Sequence, residues 1–176
     1  MKRELRKIIP SEYLICPNCS GGIVFRDSAY SCIDCAANFP IEDGIINLLP
    51  ESLETNKVNE ERIWAKWENF DLKRIKSHEV RYFLTRKLPM HDFRGRVLEI
   101  GAGSCWASAL IKLKCPSTEV FASDISKSAL KKGIEISRSL DSNTDFFIAC
   151  DSERLPFTSC LFDYVHGNAI LHHLHD

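Results

Sequence analysis

Val97-Leu98-Glu99-Ile100-Gly101-Ala102-Gly103-Ser104-Cys105 reads as an apolar strand that runs into a Gly-x-Gly turn and then a helix. Glycines at such a turn let the backbone approach a ligand closely at the carboxyl edge of a sheet. Several cofactors use a turn of this kind, so the neighbouring residues must choose among them. A dinucleotide fingerprint wants a small residue three positions after the second glycine, where helix and strand pack together. That position is Trp106, which argues against NAD and FAD. No Gly-Lys-Ser/Thr follows, so the turn is not a P-loop either.

Outward from the turn, strand and helix patterns alternate. Strands are expected at 97–100, 119–123, 144–149 and 162–166, and helices at about 104–114 and 126–139, with Ser126 as N-cap and another helix starting near Ala169. This order predicts an α/β fold with a doubly wound, Rossmann-like parallel sheet of about four strands and right-handed crossovers. Three acids fall at strand ends. Glu99 would be repelled by a pyrophosphate but would suit the cationic amino-acid end of S-adenosylmethionine. Asp124 closes the second strand, where a carboxylate can accept hydrogen bonds from ribose hydroxyls, and Asp151 closes the third, where adenine should lie.

Residues Gly95 to Asp176 resemble the class I S-adenosylmethionine-dependent methyltransferases, in particular the small-molecule (type 11-like) branch that includes quinone-biosynthesis enzymes. The likeness rests on the glycine turn, Asp124, Asp151-Ser152-Glu153-Arg154-Leu155-Pro156-Phe157, Phe162-Asp163-Tyr164-Val165 and Leu171-His172-His173-Leu174, in order and spacing. It implies cofactor contacts from Glu99, Gly101, Ala102, Gly103, Asp124, Ile125, Asp151, Ser152 and Asn168. Asp151 would meet the adenine amino group, and Ser152 would present its backbone N–H to the ring. His166 and His172, after the fourth strand, are the candidates for a catalytic base. Cys105 stands where the family has glycine or another small residue, so minor reshaping of the methionine pocket is expected. Family members continue with further strands, whereas this chain ends at Asp176. The expectation is therefore a C-terminally truncated domain whose fourth strand is an exposed edge, open to a protein partner or to self-association.

A second motif lies upstream. Cys16-Pro17-Asn18-Cys19 and Cys32-Ile33-Asp34-Cys35 are two C-x2-C pairs twelve residues apart. Each pair can wrap one side of a tetrahedral Zn²⁺, and four thiolates leave no open coordination position, so the metal would be structural. A small module gains from metal the folding energy that its own core cannot supply. Disulfides or unligated thiols are the alternatives. Tyr30 to Cys35 and Phe39-Pro40-Ile41-Glu42-Asp43-Gly44-Ile45-Ile46-Asn47-Leu48-Leu49-Pro50 resemble the ribbon of the zinc-binding activator subunit of tRNA and protein methyltransferases. A similar ribbon precedes the catalytic domain of rRNA guanine methyltransferases. Asp43-Gly44 suits a tight turn between two strands.

These motifs divide the chain into a β zinc ribbon at 11–50, a helical linker at 51–92 and a cofactor-binding, partial methyltransferase domain at 93–176. In the linker Ile63, Trp67 and Phe70, then Val80, Phe83, Leu84 and Leu88, recur near helical spacing, with a second helix expected at about 77–88. Trp64 and Trp67 read as the core of a covering helix rather than as a substrate cage. Lys plus Arg number 23 against 24 Asp plus Glu, so the net charge of -1 supplies no general attraction to nucleic acid or membrane. Between Lys73 and Arg96 eight basic residues face two acidic ones, which keeps an RNA substrate open. The charged N-terminus and the lack of a long apolar run predict a cytoplasmic protein. The expected activity is methyl transfer from S-adenosylmethionine to a small molecule. The alternatives are an rRNA or tRNA methyltransferase and a non-catalytic binding module. After Gly167 the sequence reads Asn168-Ala169-Ile170, not the Asn/Asp-Pro-Pro-aromatic motif of enzymes that methylate exocyclic or amide nitrogens.

Overall fold

A computed structural model describes residues 7–53, 55–66, 93–168 and 170. The helices expected at 77–88 and from Ala169 lie outside these residues. Four short antiparallel strands come first: β1 (Ile23–Arg26), β2 (Ala29–Cys32), β3 (Asn38–Glu42) and β4 (Ile45–Asn47). Two-residue turns join β1 to β2 through Asp27 and Ser28, and β3 to β4 through Asp43 and Gly44. All four turn residues have positive φ, as a turn matching the twist of a hairpin requires.

The parallel strands are β5 (Arg96–Ile100), β6 (Glu119–Asp124), β7 (Phe146–Ala149) and β8 (Tyr164–Gly167). Between them run α2 (Trp106–Lys114) and α3 (Lys127–Ser139), the latter with Ser126 as N-cap accepting from the Ala129 amide. Their spatial order, β7-β6-β5-β8, reverses direction beside β5, and a doubly wound sheet opens its ligand crevice at such a switch point. The sheet does not stop at β7. Strand β4 pairs with it in parallel, Ile45 opposite Phe147 and Asn47 opposite Ala149, so the sequence of strands is β1-β2-β3-β4-β7-β6-β5-β8. The cysteine-bearing hairpins and the cofactor half therefore share one sheet.

They also share a core. One face of the sheet buries Leu98, Phe121, Phe146 and Ile148 against Ile9, Leu14, Tyr30, Phe39 and Leu48. Phe121 sits among Phe146, Phe157 and Phe162, with ring centroids 4.6, 6.2 and 5.1 Å away. The opposite face packs Ala122, Phe147 and Ala149 on Leu130 and Ile134 of α3. Backbone bonds tie the N-terminal segment to the loop after β7: the Ile15 amide donates to Pro156 O and the Thr158 amide to Tyr13 O.

The fourth parallel strand lies exposed, as expected of an edge: Tyr164 and Val165 are 41% and 60% exposed. Among the described residues β8 pairs only with β5, so one edge has no neighbour. It also starts two residues late, because Phe162 turns inward to the Phe121 cluster. Helix α1 (Thr55–Lys66) matches the expected linker helix, but Ile63 is 54% exposed instead of facing the core. Among the described residues no helix is long and apolar enough to cross a membrane.

Candidate cofactor site and cysteine cluster

The strand ends and the glycine turn enclose a cavity of about 280 Å³ on the carboxyl edge of the sheet. All nine residues expected to contact a cofactor line it: Glu99, Gly101, Ala102, Gly103, Asp124, Ile125, Asp151, Ser152 and Asn168. The turn that makes the cavity demands its glycines, since Gly101 and Gly103 have φ of +59° and +52°. A Cβ on Gly103 would lie 2.9 Å from the Trp64 ring.

Two buried carboxylates form its floor. Glu99 accepts the Ser108 amide at 2.8 Å and the Ser108 hydroxyl on the same oxygen. Burial outweighs those bonds and pushes its carboxyl up to about 7. Asp124 accepts the Gly103 amide at 2.7 Å on one oxygen and the Ser126 amide at 2.8 Å on the other, which clamps the turn to the second strand. Burial raises this carboxyl too, against the pull of both amides, and nearby Glu60 and Glu61 add to the rise. The cavity floor thus consists of carboxyl groups, with no phosphate-binding lysine on its glycine turn, a setting in which a cationic portion of a ligand would favour their ionised form.

Helix α1 closes the cavity from outside the strand-and-helix repeat. Lys57, Glu60, Glu61 and Trp64 recur at helical spacing and form its covered face, while Val58 and Ile63 face outward. Lys57 Nζ reaches Asp151 at 2.8 Å and Glu153 at 2.5 Å. Glu61 accepts from the hydroxyls of Ser126 and Ser128 at the start of α3. Lys132 donates to Trp64 O and stands 5.8 Å from the Trp64 ring centre. Lys57, Glu60, Trp64, Trp106, Glu153 and Ile170 line the cavity without having been expected there. The i, i+3, i+4, i+7 set in α1 was the available signal, but Trp64 alone of these four was singled out, as the core of a covering helix.

The catalytic candidates fare differently. His166 lies in β8 opposite Glu99 in register but does not line the cavity. Its Nε2 is buried with no hydrogen-bond partner among the described residues, and burial lowers its pKa. His172 lies outside the described residues. Cys105 is a buried free thiol that does not line the cavity but packs against Ala102, Leu130 and Ile134 in the core. It adopts φ +53° as the N-cap of α2, a left-handed conformation that favours glycine.

The four cysteines of the ribbon converge. Their sulfurs all lie within 4.8 Å of one another, with Cys16–Cys35 and Cys19–Cys32 each at 3.6 Å. A tetrahedral Zn²⁺ with Zn–S of about 2.3 Å needs sulfurs about 3.8 Å apart, so the donor set fits that ion. Ser20 and Ala36, each directly after the second cysteine of a pair, both adopt φ near +60° (63° and 60°), giving the two knuckles one backbone shape. The Cys35 amide, opposed by burial and helped by the Asp34 amide, holds the Cys32 thiol down to about 7.

A doubly wound α/β sheet with carboxylates, not phosphate ligands, around its glycine turn defines a Rossmann-like cofactor-binding domain. Residues 97–176 match the methyltransferase domain family. The chain is similar to a methyltransferase from Aquifex aeolicus, at 16% identity and TM-score 0.47, covering 61% of this chain and 62% of that one. It is similar also to a provisionally assigned S-adenosyl-L-methionine-dependent methyltransferase from Methanococcus maripaludis, at 14% identity and TM-score 0.47, covering 73% of this chain and 57% of that one. It thus spans less than two thirds of the length of either. No curated protein matches the chain.

Proposed function

We propose that the cavity holds S-adenosylmethionine and that the protein is a methyltransferase acting on a small-molecule acceptor. The observation that carries this reading is the convergence of Glu99, the Gly101–Gly103 turn, Asp124 and Asp151 on one cavity. Bound there, the cofactor would supply an electrophilic sulfonium methyl group for in-line transfer. Glu99 would offer negative charge to its amino-acid end, Asp124 would accept from the ribose hydroxyls, and Asp151 would accept from the adenine amino group. Gly101 and Gly103 would admit the ligand against the backbone. Asn168 and Ile170, at the end of β8, would border the acceptor, where holding it in line supplies most of the rate. The Asn168-Ala169-Ile170 run supports an oxygen, carbon or other small-molecule acceptor over an exocyclic or amide nitrogen.

Calorimetry with S-adenosylhomocysteine and with NADH tests this. Binding of the first, not the second, and a loss of about 1.5–3 kcal/mol for Asp124→Ala are expected, the worth of charge-assisted hydrogen bonds. Tight NADH binding, or no change in Asp124→Ala, would reject the assignment. We propose also that Cys16, Cys19, Cys32 and Cys35 hold a structural Zn²⁺, on the strength of their sulfur geometry. Metal analysis of protein purified under reducing conditions should find about one zinc per chain, as a site with four protein ligands requires.

A further inference from the structure

Helix α1 precedes the residues matched to the methyltransferase family, yet it puts a cation on the acid at the adenine end of the cavity. Asp151 is held on both oxygens: one accepts the Glu153 amide at 3.0 Å and the other accepts Lys57 at 2.8 Å. Lys57 also reaches Glu153, so one ammonium sits between two carboxylates that would otherwise repel. The pair is largely enclosed, with the Lys57 and Asp151 side chains 13% and 10% exposed, so it orients Asp151 more firmly than a surface pair could. A carboxylate with both oxygens anchored still has free lone pairs, and their direction is now fixed.

We propose that Lys57 is a specificity-determining positioning residue: by bridging Asp151 and Glu153 it aims the Asp151 carboxylate to read a purine 6-amino group. The proposal rests on the assignment of the cavity to S-adenosylmethionine. A 6-oxo purine would set its oxygen against a fixed acceptor and be refused, whereas a loosely held Asp151 could turn away and tolerate it.

Calorimetry on the full chain with S-adenosylhomocysteine and S-inosylhomocysteine separates positioning from simple attachment of α1. The wild type should prefer the amino ligand by about 10- to 100-fold, the range for a hydrogen bond to a charged group. Lys57→Met should reduce that preference to about threefold or less, and Lys57→Arg, which keeps the charge, should restore it. Glu153→Gln, which leaves Lys57 on Asp151, should keep most of it. If Lys57→Met weakens both ligands equally and the preference stands, Lys57 only docks the helix and the proposal fails. Should Lys57→Met not fold, Lys57→Gln is read by the same two criteria. A wild type that binds neither ligand instead rejects the cavity assignment itself.

Discussion

If the cysteine cluster holds the proposed Zn²⁺, removing it should loosen the parallel sheet, not only the ribbon. As a small separate module the ribbon would be expected to unfold alone on chelation while the remaining helices persisted. Its side chains, however, belong to the core that covers Leu98, Phe121, Phe146 and Ile148. Structural zinc contributes about 10–16 kcal/mol to the folding of small metal domains, as much as the whole stability of an ordinary domain. Without it, Ile9, Leu14, Phe39, Ile46 and Leu48 lose their fixed positions. At about 1.5–3 kcal/mol for each buried side chain, their withdrawal costs the sheet on the order of 10 kcal/mol as an upper bound. Strand β7 also loses its parallel partner, including the bond from the Leu48 amide to Ala149 O. Hydrogen exchange read by mass spectrometry, before and after chelation, is the assay. Protection of 146–149 should fall together with that of 16–35, and the thermal melt should remain a single transition at lower temperature. Persistent protection of 146–149 while 16–35 exchange freely would refute the coupling.

Three further outcomes are expected. Because burial raises the Glu99 carboxyl from about 4.5 to about 7, the folded protein binds the extra proton in that window. Stability should therefore be greatest below about pH 4.5 as far as this group is concerned, and should fall on the order of 3 kcal/mol as pH rises through 7. Glu99→Gln should flatten that slope in melts run across the range, and an unchanged slope would exclude Glu99 as its source. A Cβ on Gly133 would lie 2.5 Å from Cys105 Sγ, so Gly133→Ala should destabilise by about 1–3 kcal/mol and Cys105→Gly should rescue it in urea titrations. Glu61→Ala should free α1 by removing its bonds to Ser126 and Ser128, at a cost of about 1–3 kcal/mol, seen as faster exchange over 55–66 with α3 still protected.

What the sequence disclosed was local. Gly101, Gly103, Asp124 and Asp151 were legible because a strand, a turn and a helix carry their chemistry within a few residues. Asp43-Gly44 announced its hairpin and the cysteine pairs their convergence for the same reason. The junction of β4 with β7 was not legible: Ile45 and Phe147 lie far apart in the chain, and a parallel pairing leaves no turn signature. Helix α1 misled by its polarity. Ile63 suggested an apolar covering face, but the helix docks through Lys57, Glu61 and Trp64 on a carboxylate-rich rim, where charge outweighs apolar burial.

The in-register seam between β4 and β7 also limits how such proteins can be recombined. A ribbon tethered by a linker can be exchanged for another, provided the linker reaches. Here any replacement would have to present a strand in the same direction, with residues equivalent to Ile45, Ile46 and Asn47 opposite Phe147, Ile148 and Ala149. A slip of one residue would turn Ile46 from the Phe121 face to the α3 face and Ile45 the other way. Chimeras joined at residue 50 should therefore fail unless β4 stays with the cofactor half, which places the functional boundary for grafting inside the ribbon, at the Asp43-Gly44 turn.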